Sequence, residues 1–145
     1  MGKLGTVFVL VAGALVFTLL VGCGGGGPAY APVSVPADQA IVYIYRPKSF
    51  VGSAVSYFVK VNGVDVTKLK NGGYFPYVTP PGTVVFSAKT EAWSEAAIDV
   101  AAGGIYFIKG SVTTGAFVGR PNLQQVHPSI AQSEIMRCRL LPPAR

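Results

Sequence analysis

The chain has 145 residues, of which half are hydrophobic and only 12% are charged, and its formal net charge is +6. This length suits one folded domain rather than two. An apolar run at the start inflates the overall hydropathy, which therefore does not indicate a membrane-embedded protein. The lysines are spread along the chain without a basic run interleaved with aromatics. This pattern argues against nucleic-acid binding and favours a solvated surface, with mild attraction to anionic headgroups as the alternative.

The first 22 residues have the three parts of a secretory signal. Lys3 supplies a positive charge, residues 4–20 are mostly apolar, and Val21-Gly22 supply small residues before Cys23. The length is also compatible with a transmembrane helix, which needs about 20 apolar residues. The cysteine at the end of the run and the four glycines after it favour cleavage over a retained helix.

The order Leu20-Val21-Gly22-Cys23 resembles a bacterial lipobox. The resemblance implies that Cys23 becomes the first mature residue, with a diacylglycerol on its sulfur and an acyl chain such as palmitate on its amine. Two or three chains hold a protein at a bilayer, whereas one chain anchors only marginally. Gly24, in place of an aspartate, implies delivery to the outer membrane, facing the periplasm, if the source is Gram-negative. The implied partner is therefore membrane lipid.

Residues 23–39 predict a tether that follows the lipidated cysteine. Its glycines are followed by Pro28, Pro32 and Pro36, and no apolar periodicity is present. Such a linker is flexible at its glycine end and more extended at its proline end. The alternative is that part of this segment packs along the domain.

The pattern changes at Ala40, and residues 40–145 predict a domain of short strands. Runs that alternate or are rich in β-branched and aromatic residues predict strands at 40–46, 55–61, 64–66, 74–78, 83–89, 96–100, 105–109 (open to extension as far as Val112) and 121–126. Asn62-Gly63 is a strong hairpin signal, and Pro76 predicts an edge or a bulge. Turn signals roughly every 8–12 residues indicate an all-β antiparallel sandwich or barrel. Of these we expect a small antiparallel β-sandwich.

The last segment predicts a short C-terminal helical turn over residues 129–135. Ser129 is the expected N-cap, and Gln132, three residues later, completes a weak capping box.

With Cys23 taken by lipid, Cys138 has no disulfide partner in its own chain. We expect this thiol to be buried, and the alternative is a thiol available for pairing between molecules. Met136 and Leu140 alternate with arginines, which predicts that both face inward together with Cys138.

The order of several short segments resembles the bacterial DUF2846 lipoprotein domain. The segments are Val42-Tyr43-Ile44-Tyr45-Arg46-Pro47, Val61-Asn62-Gly63, Leu69 to Tyr74, Pro80-Pro81-Gly82, Ala102-Gly103-Gly104-Ile105-Tyr106-Phe107, Leu123 to Val126 and Ile135 to Leu140. The resemblance covers nearly all of residues 40–140 and implies a fold and an envelope location, but no mechanism, because the family has no settled function. The turn pattern is also similar to PEGA-type and carboxypeptidase regulatory-like sandwiches, which are accessory modules.

Few residues in this chain carry chemistry. His127 is the single histidine, and the six carboxylates have no spacing typical of a metal site or a nucleophile elbow. We therefore predict no enzyme, no metal and no cofactor. The competing enzyme hypothesis is a small envelope hydrolase that uses His127 with a carboxylate such as Glu91.

The aromatic residues are the most plausible interaction elements. A third hypothesis is therefore a peptidoglycan- or carbohydrate-binding module with an aromatic face. Phe58 is predicted on the outward face of its strand, and Trp93 is either an exposed binding hot spot or a cap over the sandwich. The favoured expectation is a lipid-anchored cell-envelope protein with a non-catalytic accessory or interaction domain, whose partners are membrane lipid and an envelope protein rather than nucleic acid.

Overall fold

The computed structural model describes residues 26–145. The predicted signal sequence and the lipidation at Cys23 lie outside these residues. In chain order the elements are β1 Ala40–Tyr45, β2 Tyr57–Val61, β3 Val64–Leu69, β4 Gly73–Thr79, β5 Gly82–Lys89, β6 Trp93–Val100, β7 Ile105–Thr113, β8 Arg120–Gln125, α1 Pro128–Ile135 and β9 Arg139–Leu140. No helix in this part of the chain is long and apolar enough to cross a membrane.

The strands form two sheets that pack face to face. The first has the order β8-β7-β1-β4-β9 and the second the order β3-β2-β5-β6. The predicted all-β sandwich with a short C-terminal helix is therefore confirmed. The second sheet is antiparallel, but the first is mixed, since β1 pairs with β7 and β4 pairs with β9 in parallel. Between β1 and β7 the chain enters the second sheet twice, for β2–β3 and for β5–β6, and it passes through β4 of the first sheet between these visits.

All eight predicted strands are present, with shifted ends. β2 begins at Tyr57 rather than at residue 55, and β6 begins at Trp93, three residues before its predicted start. β9 was not predicted, because its two residues carry no periodicity. Along β4 it pairs with Gly73 and Tyr74 alone. Pro76 lies farther along β4, beyond the reach of β9, where its missing N–H leaves no ladder bond unmade.

The core between the sheets comes from alternation along the strands. Tyr57, Val59 and Val61 of β2 are buried, whereas Phe58 between them is exposed, as the period of two predicts. Phe86 of β5 is fully buried in the same core and meets the ring of Tyr77 edge-on at 6.1 Å.

The opposite face of the five-stranded sheet has a second core. All six residues of β1 are buried, because α1 and the segment before β1 cover this outer face. The Tyr30 ring packs edge-on against Tyr43 and Tyr74, with centroids 5.5 and 5.2 Å away. We call the buried residues on this face, together with the Tyr30 that packs against them, the outer core.

Residues 27–35 pack along the domain, which is the alternative stated above for this part of the tether. Ala29 bridges to Arg139 of β9, and the Leu140 N–H donates to the Pro28 carbonyl at 2.9 Å. Residues 28–29 thus lie beside β9, at the edge of the five-stranded sheet.

The helix cap differs from the prediction. The N-cap is His127, whose Nδ1 accepts from the Ser129 backbone N–H at 3.3 Å. Ser129 as N-cap is therefore wrong, and Ile130 rather than Gln132 stands three residues after the cap. The cause is Pro128, which suits the first helical position because it has no N–H to satisfy.

Cys138 is buried and unpaired, which confirms the expected burial. Its Sγ lies 3.6 Å from the Arg46 carbonyl oxygen. Met136 is exposed, so its predicted inward orientation is wrong, and Leu140 is half-buried. The helix runs to Ile135 and a turn follows it, so strand alternation does not apply until β9.

Candidate functional site

The connections between elements lie at two opposite ends of the sandwich. We call the end where the chain joins the fold at Gly27 the proximal end, since Gly27 packs against Leu140 beside the start of β4. The strand register places four connections at the proximal end: residues 46–56, 70–72, 90–92 and 114–119. The distal end has residues 62–63, 80–81, 101–104 and 126–127.

Two proximal loops present the same three residues, Phe50-Val51-Gly52 and Phe117-Val118-Gly119. The two phenylalanine side chains are 95% and 96% exposed, and the valines beside them are about half exposed. Large apolar side chains left this exposed at loop tips make these two loops candidates for a functional surface.

The two Phe-Val-Gly loops are neighbours because they share a support. Gly52 and Gly119 both pack against the side chain of Val112 so closely that neither has room for a Cβ. Gly52 also has a φ of 68°, a conformation that favours glycine. Both glycines are therefore required for the loops to approach each other over Val112.

A buried arginine holds the first loop. The Arg46 side chain is almost fully buried, and its guanidinium donates to the backbone carbonyls of Val55 and Gly52. The Tyr57 ring lies 5.9 Å from this guanidinium, and burial lowers the pKa of Arg46. In residues 26–145 no carboxylate pairs with Arg46, so its role here is to bind loop carbonyls.

A carboxylate holds the second loop. Glu91 accepts from the Phe117 N–H at 3.0 Å, and its other oxygen lies 3.9 Å from Nε of Arg120. Thr90 donates its hydroxyl to the Gly119 carbonyl at 2.7 Å. Both Phe-Val-Gly loops are thus fixed from behind, while their tips face solvent.

The charges of the two ends differ. Exposed cations gather at the proximal end: Lys48, Lys70, Lys89, Arg120, Arg137 and Arg139. Of the carboxylates near this end, Glu91 is occupied by the second loop and Glu95 is exposed on β6, two residues after Trp93. Towards the distal end lie Asp38, Asp65 and Asp99. Exposed cations therefore outnumber exposed carboxylates at the proximal end, which composition alone did not reveal.

A cavity of about 210 Å³ opens beside the first loop, where β7 continues past the end of β1. It is lined by Arg46, Pro47, Lys48, Ser49, Lys109, Gly110, Ser111 and Val112. Of its cations, Lys109 is bound to Glu134 at 2.7 Å and Arg46 to loop carbonyls. Lys48 is exposed at the rim.

A small network of titratable groups lies under α1. Glu134 accepts from Tyr45 at 2.6 Å and from Lys109. Burial would raise the pKa of Glu134, but these two hydrogen bonds outweigh it and hold the pKa below its usual value. Burial and then the Glu134 charge raise the pKa of Cys138 to about 11, so this thiol stays protonated.

The residues named for the hydrolase hypothesis are not brought together. His127 caps the helix at the distal end, with Nδ1 2.8 Å from Ser129 Oγ, whereas Glu91 serves the second loop at the proximal end. Within residues 26–145, no group of three or more His, Cys, Asp or Glu side chains is arranged to hold a metal ion.

The two aromatic residues singled out from the sequence are both exposed. Trp93 begins β6 at the proximal end and is 56% exposed, so it does not cover the sandwich core. Phe58 lies on the outward face of β2 under Lys68, whose Nζ is 5.6 Å from the ring centroid. The phenylalanines of the two loops were missed; the signal that could have found them is the Phe-Val-Gly triplet, which occurs twice.

Searches of curated proteins and of solved structures found no significant match to this chain. A family model described as "Protein of unknown function (DUF2846)" matches residues 36–120, which run from just before β1 to the start of β8 and include both Phe-Val-Gly loops. The match covers more than half of the chain and confirms the resemblance noted from the sequence. The chain therefore belongs to the DUF2846 family.

Proposed function

We propose that this protein is a lipid-anchored cell-envelope protein, held through acylated Cys23, with a non-catalytic sandwich that serves as an accessory or interaction domain. The observation that carries the proposal is the lipobox-like Leu20-Val21-Gly22-Cys23, placed four residues before Gly27. Gly27 is where the described chain meets the basic proximal end. The position of the cysteine therefore also decides which end of the domain lies nearest the membrane.

The short spacing sets how far the domain can stand from its anchor. Each residue extends a chain by at most about 3.6 Å, so four residues reach roughly 14 Å. Because residues 27–35 are packed on the domain, they add nothing to this reach. The proposed anchor therefore holds the proximal end next to the bilayer surface.

The proposed location is the outer membrane, with the domain in the periplasm. Support comes from the residue after the cysteine, Gly24, since an aspartate there is the pattern of inner-membrane retention in Gram-negative bacteria. A Gly24→Asp variant should then move from the outer-membrane to the inner-membrane fraction. An unchanged distribution would count against this location.

The anchor is tested by Cys23→Ala. We expect loss of incorporated labelled palmitate and release of the chain from the membrane fraction, since no acyl chain can be attached. Cys138→Ala is the matched control, because it removes the other cysteine and leaves the lipobox intact. A Cys23→Ala chain that still sediments with membranes would refute the lipid anchor.

The accessory role is tested by crosslinking and capture from native membranes. An envelope protein recovered with the wild type, and lost with a variant of exposed proximal residues, would support an interaction domain. The hydrolase alternative predicts that His127→Ala together with Glu91→Ala abolishes rescue of a deletion strain. Full rescue by that variant would exclude it.

A further inference from the structure

We propose that the two Phe-Val-Gly loops insert their tips into the bilayer, so that the proximal end contacts the membrane through protein as well as through lipid. The inference rests on the proposed anchor at Cys23 for its orientation. The occupant of this surface is a phospholipid bilayer with anionic headgroups.

The tips of both loops are exposed to solvent. Phe50 and Phe117 leave almost their whole rings in water, which is unfavourable unless another apolar phase covers them. Val51 and Val118 widen the same apolar surface. Peripheral membrane proteins place phenylalanine and other apolar side chains about 5–10 Å into the boundary between headgroups and acyl chains.

Both tips also lie at the end of the sandwich where the chain passes to Cys23, and the four residues from Cys23 to Gly27 permit a separation of at most roughly 14 Å from an anchored cysteine. A domain held this closely by its proximal end has its proximal loops within reach of the bilayer.

Cations flank both loops in the sequence. Lys48 precedes the first loop by two residues, and Arg120 directly follows the second. With Lys70 and Arg139 beside the chain's junction with the fold, they place exposed cations at the same end of the sandwich as the apolar tips. Anionic headgroups attract basic residues near the surface, so the cations and the tips match the two layers of a membrane interface.

The backbone of both loops is held from behind, by Arg46 at Gly52 and Val55 and by Glu91 at Phe117. Loops that are already held in place lose less conformational entropy when their tips insert.

The test uses tryptophan as a depth probe in the mature chain. Trp93 is first replaced by phenylalanine, and Phe50→Trp, Phe117→Trp or Val64→Trp is then introduced singly. Val64 is exposed at the distal end and is the control. Each protein is reconstituted in vesicles of phosphatidylglycerol and phosphatidylcholine, with or without bromine atoms near the top of the acyl chains.

We expect emission from positions 50 and 117 to be blue-shifted and at least halved by bromine, with no quenching at position 64. Equal emission with and without bromine at positions 50 and 117 overturns the proposal. A blue shift that depends on protein concentration, without bromine quenching, also overturns it and assigns the tips to contacts between copies.

The anchor is scored separately, from the mass of acyl groups on Cys23. An acylated chain with unquenched tips keeps the anchor and rejects insertion. A chain found without acyl groups rejects the anchor; the same quenching measured with added vesicles then decides whether the tips insert. Folding of each variant is confirmed by its circular dichroism spectrum.

Discussion

The two faces of the five-stranded sheet are buried by different means. The inner face packs against the second sheet through mainly aliphatic side chains, whereas the outer face is covered by α1 and residues 27–35 and is rich in tyrosine. The outer tyrosines need polar partners: Tyr43 Oη accepts from the Val33 N–H at 2.9 Å, and Tyr45 donates to Glu134. Local alternation is enough to build the inner core, whereas the outer core needs segments that are distant in sequence.

The largest expected effect is on the inner core. Phe86→Ala should lower the free energy of unfolding by about 3–5 kcal/mol, because a fully buried ring leaves a cavity between the sheets. Denaturant unfolding followed by circular dichroism measures the change. Phe58→Ala, on the outward face of the same sheet, is the control and should change stability by about 0.5 kcal/mol or less. Similar losses for both variants would contradict the assignment of the two faces.

A smaller effect is expected in the outer core. Tyr30→Ala removes two edge-on aromatic contacts, each worth about 0.5–1.5 kcal/mol, so the loss should be about 1–3 kcal/mol. The sheets should remain folded while residues 27–35 become open to protease.

Limited proteolysis followed by mass spectrometry locates the new cleavage sites. Ser34→Ala, an exposed position in the same segment, should leave the cleavage pattern unchanged. Cleavage spread through β2 and β5 in Tyr30→Ala would mean that the two cores unfold together.

The contrast between the inner and the outer core also explains which parts of the fold could be predicted from the sequence. β2 was placed correctly because Tyr57, Val59 and Val61 repeat with period two, which depends on neighbouring residues alone. The packing of residues 27–35 could not be read from their composition, since the partner of Ala29 is Arg139. A proline- and glycine-rich segment looks like a linker until its distant partner is known.

The candidate site was hidden for a related reason. A phenylalanine in a loop reads as core or as chance, and only the folded structure shows that the loops of Phe50 and Phe117 lie at the same end of the sandwich and share Val112 as a support. The basic proximal end arises in the same way, from cations that are widely separated in the sequence, between Lys48 and Arg139. Cys23, by contrast, could be proposed from its neighbours, because a lipobox is a local pattern.

Glu134 tests the polar side of the outer core. Glu134→Gln should lower the free energy of unfolding by about 1–2 kcal/mol at neutral pH, because the hydrogen bonds from Lys109 and Tyr45 lose a charged acceptor. The folded pKa of Glu134 is lowered, so its contribution is present above the unfolded value of 4.5 and is lost as the pH falls through the folded pKa.

Unfolding curves of the two proteins should therefore converge in acid, from about pH 4.5 downwards. Glu95 is exposed on β6, and Glu95→Gln is the control variant. It should leave the free energy of unfolding unchanged over the same pH range. A gap between wild type and Glu134→Gln that persists unchanged in acid would show that the loss is one of packing rather than of charge.

The smallest expected change in stability is at Cys138. Cys138→Ala should lower the free energy of unfolding by about 1 kcal/mol, which is close to the contribution of one buried methylene group. Its reactivity is the sharper readout, since a pKa of about 11 lowers the thiolate fraction roughly 100-fold relative to the ordinary value.

A thiol reagent added to the Cys23→Ala chain, in which Cys138 is the single thiol, should react slowly until denaturant unfolds the protein. Fast labelling of the folded chain would place this cysteine at the surface and would leave the outer core open to reagents.

The pairing of Ala29 with Arg139 has a consequence for the order of events during synthesis. Contacts so far apart in sequence form only once both segments are free to meet. Residues 139–140 are made long after Ala29, so an emerging chain that has not yet reached β9 lacks the strand on which residues 27–35 close. The outer core therefore stays open until β9 has been made.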